Sequence, residues 1–346
     1  LARFPDRLRD MAWIDQVEVI SGDALNISDV NRAMQNVDVA YYLLHALNQG
    51  PEFVDIETKM AQLFAESAKN NNVQKIIYLG GLIPKQVLSQ HLESRKVTGE
   101  ILRNSGVPTI ELRAGVVIGS GSASFEMLRY LTERLPIMIT PKWVKTKIQP
   151  IAVRDVLYYL VGAASISNDV NRAFDIGGND IFTYKVMMEH YARVADLRKR
   201  IIIPVPLLTP RLSSLWVGLV TPVPGSIAKP LVRSLINEVI CQESDIKKYL
   251  PDPSEGLTTF DKAVDLALIR VRDAQVSTRW SSAQIPGVPS EPMPSDPQWT
   301  GGSLYEDLQQ IEIETNSHEV WKVVEAIGGE HGYFSLDWAW EIRGIM

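Results

Sequence analysis

His91 and Arg95 stand four residues apart in His91-Leu-Glu-Ser-Arg95. On a helix that spacing puts both side chains on one face. An imidazole with an unperturbed pKa of about 6.5 can serve as a general acid near neutrality. A guanidinium brings permanent charge and several donors but releases no proton. Together they suit a reaction that needs a proton at a substrate oxygen and a cation beside a ribose, as carbonyl reduction by hydride transfer does. An exposed polar helix face would carry the same two residues, so the pair alone leaves both readings open.

Other chemistry-bearing residues follow short apolar runs. Leu1-Ala2-Arg3 reads as the tail of a strand, with Phe4-Pro5-Asp6 as the turn leaving it. The second strand of a dinucleotide-binding fold ends in an acidic residue when a ribose 2′-OH is bound, and an Arg there suits a 2′-phosphate. Guanidinium binds phosphate in a bidentate way, so Arg3 favours NADP over NAD, with NAD still possible. A solvated turn Arg is the alternative. No G-x-G-x-x-G precedes Arg3, and the sequence is expected to start one strand into such a fold. Asp23, in Ser21-Gly22-Asp23, could accept from an adenine amino group while the N–H of Ala24 meets the ring. It could equally be a turn Asp. Leu44 and His45 end another apolar run, where His45 either lines the nicotinamide-ribose side or is structural.

The elements that must position these residues are legible as periodicities. Val17–Ile20, Val37–Leu44, Lys75–Leu79, Thr109–Leu112, Ala173–Ile176 and Arg200–Ile203 read as strands. Between them the spacing predicts helices over Asp29–Asn36 with Ser28 as N-cap, from Asp55 through Phe64, and over Leu92–Asn104. Alternating strands and helices predict an α/β fold, a doubly wound parallel sheet with right-handed crossovers. Ligands of such sheets bind beyond the carboxyl ends of the strands. Those ends are Arg3, Gly22-Asp23, Leu44-His45, Gly80-Gly81 and Arg113-Ala114-Gly115.

Composition excludes several classes. A chain of 346 residues suits two domains or one with an appendage. A net charge of −6 and a pI near 5.5 argue against nucleic acid as a partner. The single cysteine, Cys241, rules out an internal disulfide or a CxxC metal site and points to a reducing compartment, so a cytoplasmic location is expected. Five His without HExxH spacing predict no dedicated metal site. The most apolar stretch, Leu212–Pro222, is too short and Pro-bounded to span a bilayer.

The motifs occur in a telling order: Asp23 after a strand, Tyr78-Leu-Gly-Gly-Leu82, Ser94-Arg95 to Glu100, Glu111-Leu-Arg113-Ala-Gly115, Val117-Ile-Gly119, Gln149 to Asp155, and Phe174-Asp-Ile-Gly-Gly178. This order resembles atypical short-chain dehydrogenase/reductase proteins, in particular the NmrA-like, NAD(P)H-binding branch with a C-terminal DUF2867 region, itself similar to START-like domains. The resemblance implies a Rossmann domain over residues 1–275, with a substrate lobe from about 120–150 and 180–250. It also implies that Arg3 faces a 2′-phosphate, that Asp23 faces adenine, and that Leu44 and His45 lie near the nicotinamide half. Gly80 and Gly81 take the strand end where many relatives carry a catalytic Ser or Thr. Ala114 replaces Pro in an R-P-G-like turn ending at Gly115, and Asp155 is expected to cap the following helix.

Two departures bear on activity. Catalytic relatives use Tyr-x-x-x-Lys, where this chain has His91 and Arg95, and their Ser/Thr position is glycine here. Either His91 replaces the Tyr, or the chain holds its cofactor without the standard chemistry. The expectation is an NAD(P)H-linked oxidoreductase acting on a small apolar molecule, with a non-catalytic redox sensor or scaffold as the alternative.

Later segments carry weaker signals. Phe125, Met127, Leu128, Leu131 and Leu135 precede Trp143, which stands among Lys142, Lys145 and Lys147 and reads as a solvated loop. Pro204–Pro224 is apolar and falls where the lobe is expected. Prolines 286, 289, 292, 294 and 297 mark a linker over 276–302. Residues 303–346 read as a partial α+β module, the start of the DUF2867-like region, with strand alternation at Glu312 and a helix from Glu319 with Ser317 as N-cap. No basis for an oligomeric state is visible.

Overall fold

The structure, a computed structural model, describes residues 1–8, 13–46, 52–85, 88–205, 237–272 and 314–325. The chain divides into two compact units, Leu1–Ser303 and Leu304–Met346.

The first unit is built on four parallel strands: β1 (Val39–Tyr42), β2 (Lys75–Gly81), β3 (Thr109–Ala114) and β8 (Arg172–Ile176), adjacent in that order. Val39 lies opposite Lys75, Ile76 opposite Thr109, and Ile110 opposite Arg172. Near-continuous apolar runs such as Ile76-Ile77-Tyr78 suit a sheet buried on both faces. Alternation along the strands sends neighbours to different cores. Ile76, Tyr78 and Tyr42 pack with Val30, Ala61, Ala65 and Leu102 from α1 (Ile27–Ala33), α2 (Phe53–Asn70) and α3 (Gln90–Arg103). Ile77, Ile110, Leu112 and Phe174 pack on the other face with Val156, Tyr159 and Leu160 of α5 (Val153–Ala163). This is the expected α/β fold, a parallel sheet covered by helices on both sides.

A separate core belongs to a smaller lobe. It gathers Phe125, Leu128 and Leu131 of α4 (Ala123–Arg134), Met187, Met188 and Tyr191 of α6 (Tyr184–Val194), and Val264 and Leu268 of α7 (Phe260–Arg272). Short strands accompany it: β4 (Val117–Ile118) with β7 (Ile151–Ala152), β6 (Lys147–Ile148) with β9 (Phe182–Thr183), and β5 (Ile137–Pro141) with β10 (Ile201–Val205).

Several expectations need correction. Val17–Ile20 forms no strand; its end contributes only the hydrogen bonds Ala2 N to Ile20 O (2.8 Å) and Gly22 N to Ala2 O (3.1 Å), around a single parallel bridge between Ala2 and Ser21. Helix α1 starts two residues before Asp29, because the Asn26 side chain, not Ser28, caps it by accepting from Ser28 N at 3.0 Å. Asp155 is structural but caps nothing at α5. Its buried carboxylate accepts from the backbone N (2.8 Å) and hydroxyl (2.9 Å) of Thr258, fastening the chain that enters α7.

In the second unit, α8 (Ser317–Glu325) begins earlier than Glu319, and Asn316, not Ser317, caps it by accepting from Glu319 N at 3.0 Å. Most of the apolar stretch Pro204–Pro224, the Pro-rich linker and the alternation around Glu312 lie outside the described residues.

Candidate functional site

Ser89 starts α3 by accepting from Leu92 N at 3.3 Å, which places His91 in the first turn and Arg95 one turn on, on the same side. Arg95 reaches across the sheet tips. Its Nη1 donates to the carbonyl of Leu44 (3.0 Å) and its Nη2 to that of Leu79 (3.1 Å). The guanidinium lies 5.3 Å from the Tyr78 ring centroid and 3.8 Å from Glu57 Oε1. Glu57 is buried in α2, and accepts from Ala46 N (2.9 Å) and from the Ser94 hydroxyl. A buried carboxylate needs such a cation and donors to remain tolerable. Arg95 thus ties the ends of β1 and β2 together and answers the charge beneath them.

His91 differs electrostatically from a free imidazole. Burial, then the nearby Arg95 and His45, push its pKa down to about 3. It is neutral at pH 7, so the expected imidazolium acid is absent there. Its Nδ1 is buried with no hydrogen-bond partner. His45 keeps an exposed edge, yet its pKa is also lowered, first by desolvation and then by Arg95, with Glu57 opposing.

Two cavities meet this arrangement. One of about 210 Å³ has Gly80, Gly81, Ala114 and Gly115 from the tips of β2 and β3, with His91 and Arg95 beside them. Most of its remaining wall comes from the lobe and includes Met127, Trp143, Tyr184, Met187 and Met188. The other, about 460 Å³, is bordered by Arg3, Gly22, Ala24, Leu44 and His45. Asp23 flanks it, its Oδ2 lying 3.6 Å from Arg3 Nε while its Oδ1 accepts from Leu25 N at 2.9 Å, the geometry of a turn Asp. The sequence-derived residues therefore fall into two groups, linked where Arg95 bonds the Leu44 carbonyl.

Arg113 turns away from the cavity. Its Nε donates to Glu111 at 2.8 Å, and Arg103 also pairs with this fully buried carboxylate. Glu57 escaped the sequence analysis, as did Tyr184, Met187 and Met188, and Ser94 appeared there only as part of a motif. A carboxylate within the apolar pattern of Phe53, Met60 and Ala61 was the available signal for the first. The spacing Tyr184, Met187, Met188, Tyr191 marked a buried helix face but not a cavity wall.

Among the described residues no cluster of His, Cys, Asp and Glu could hold a metal ion, and no helix is long and apolar enough to cross a membrane. Cys241 is a packed thiol whose pKa burial pushes up to about 12.

Residues 1–117 match the family described as NAD(P)H-binding. Among solved structures, the chain is similar to the Citrobacter sp. triphenylmethane reductase at 16% identity and a TM-score of 0.57, over 73% of this chain and 84% of that one. The same reductase complexed with NADP(H) matches at 16% identity and a TM-score of 0.55, over 76% and 86%. The Bordetella bronchiseptica enzyme WbmH in complex with NAD+ matches at 13% identity and a TM-score of 0.54, over 77% and 89%. The chain therefore carries a region matching the NAD(P)H-binding family on the Rossmann-like α/β fold of these reductase and WbmH structures.

Proposed function

We propose that this chain is an oxidoreductase that binds NADP(H) in preference to NAD(H) across the strand tips and acts on a small apolar molecule in the 210 Å³ cavity. The observation that carries this reading is the junction at Arg95, which lines the apolar cavity while bonding the Leu44 carbonyl at the border of the other.

The residues present fit a dinucleotide. Arg3 is half-exposed, and its contact to Asp23 is an exposed pair of little worth, so the guanidinium is available to a 2′-phosphate. Asp23 and Ala24 border the adenosine side, and Leu44 and His45 the ribose side. Gly80, Gly81, Ala114 and Gly115 leave the strand tips open to close approach. A nicotinamide held beside Leu44, His45 and the strand-tip glycines would supply or accept the hydride. His91, neutral at pH 7, steadies the substrate oxygen by hydrogen bonding while the proton comes from solvent. Arg95 acts as a positioning residue that holds the two strand ends in register.

Energy transfer from tryptophan to NADPH in the whole chain tests this directly. NADPH is expected to bind at least about tenfold more tightly than NADH, and Arg3→Glu to erase the difference by weakening NADPH alone. Equal binding of the two would remove the NADP preference, and binding of neither would remove the proposed function.

A second reading is a cofactor-occupied sensor without turnover. The uncharged His91 and the commitment of Arg95 to backbone carbonyls favour it. Cofactor binding with no NADPH consumption across a panel of aldehydes, ketones and quinones would decide for the sensor.

A further inference from the structure

We infer that the apolar cavity selects an uncharged aromatic carbonyl compound, with the indole N–H of Trp143 as the donor to its oxygen. This rests on the proposed function for the identity of the cavity as the substrate side, and narrows the substrate to a class.

Charge is the first argument. Among the described residues, the ionisable side chains in the wall are His91, Arg95 and Tyr184. His91 is neutral at pH 7, burial raises the Tyr184 pKa, and Arg95 is held by two carbonyls and Glu57. A carboxylate or diphosphate brought here would lose its water and meet no uncommitted cation, which is a large penalty. The wall is thus unsuited to a nucleotide sugar.

Shape and polarisability are the second. Trp143 and Tyr184 meet edge to face, with centroids 5.5 Å apart at 88°. Met127, Met187 and Met188 bring three thioethers to the same wall. Sulfur and aromatic edges both favour an aromatic guest. At about 210 Å³ the cavity exceeds the roughly 150 Å³ apolar cavity that takes up a benzene, which leaves room for a guest larger than one ring.

The third argument is a donor without a partner. Trp143 is 5% exposed, and its Nε1 is buried with no hydrogen bond. Buried polar groups are nearly always paired, and one left unpaired carries a standing cost that a ligand acceptor relieves.

Equilibrium dialysis of the full chain against menadione, methylnaphthalene and naphthoate tests all three arguments. Menadione is expected to bind about tenfold more tightly than methylnaphthalene, the effect of one ordinary hydrogen bond, and naphthoate at least about tenfold more weakly than menadione. Trp143→Phe is expected to narrow that gap severalfold, the His91 contact remaining, and to leave the hydrocarbon unchanged. Equal binding of menadione and methylnaphthalene, retention of naphthoate, or an unchanged gap in Trp143→Phe would each overturn the inference. Should Trp143→Phe fail to fold, the three probes on the unaltered protein decide alone. NADPH binding is measured in parallel. NADPH binding without probe discrimination sinks only this inference, whereas discrimination without NADPH binding sinks the proposed function and leaves the selectivity standing.

Discussion

At His91, burial and the neighbouring charges of Arg95 and His45 all oppose a proton, and the pKa falls to about 3. The unfolded chain protonates near 6.5, so below that value it binds a proton that the folded chain refuses. Stability is therefore unaffected by this group above about pH 6.5. It declines as pH falls from there toward about 3, by roughly 1.4 kcal/mol per pH unit. His91→Phe is expected to flatten that acid limb in urea melts taken across the window, and NMR of the His91 ring should show no inflection between about pH 5 and 8. The two glycines at the end of β2 make a second contrast. A Cβ on Gly80 would lie 3.1 Å from both Glu111 Oε1 and Tyr78 Cε1, whereas one on Gly81 would meet only Leu92, at 3.5 Å. Gly80→Ser is expected to cost about 1–3 kcal/mol. Gly81→Ser should stay within about 1 kcal/mol and place a hydroxyl at the cavity wall. Thermal melts of the two variants check both expectations.

Between elements, the contact of α3 with β3 depends on a carboxylate crossing a helix backbone. Glu111 is fully buried, is held by Arg113 and Arg103, and presses against Gly99, where an added Cβ would overlap the carboxylate. Gly99→Ala is expected to destabilise the chain by about 2–4 kcal/mol, since either the helix or the buried ion network must shift. Chemical denaturation would show the loss, and a variant as stable as the parent would mean that Glu111 can move without cost. The other face has its own fastening. The buried Lys75, at the start of β2, donates to the carbonyls of Ala164 (2.8 Å) and Ile166, just beyond α5, where a cation suits the helix dipole. The positions of His91 and Arg95 thus depend on helices held to the sheet by buried polar ties as well as by apolar packing.

For the first unit as a whole, the apolar cavity is walled by residues of the sheet and of the lobe, which have separate cores. A ligand bound across the strand tips stabilises only the folded arrangement. NADPH at one hundred times its Kd is expected to raise the unfolding free energy by about 2.7 kcal/mol. In a unit of about 300 residues that is a shift of roughly 4 °C in Tm. NADH at the same concentration should give a smaller shift, and Arg3→Glu should bring the NADPH shift down to the NADH value. Scanning calorimetry that finds no shift at saturating NADPH would count against cofactor binding at these strand tips.

The local sequence was sufficient for most of the elements and for the parallel sheet. Ile76-Ile77-Tyr78 and Ile110-Glu-Leu112 carry strand character in their own side chains, and α2 and α3 are marked by period and composition. Such signals act over a few residues and survive in the sequence alone. It failed where a partner decides: Val17–Ile20 has apolar strand residues, but the one bridge forms just beyond it, at Ser21, and Asn26 outcompetes Ser28 as a cap. The site depends still more on distance along the chain. Arg95 bonds Leu44, 51 residues away, Trp143 meets Tyr184, and the protonation of His91 is set by burial and by charges on other elements. Residue type names the available chemistry, but solvation, pairing and cavity shape come from groups that only tertiary folding brings together.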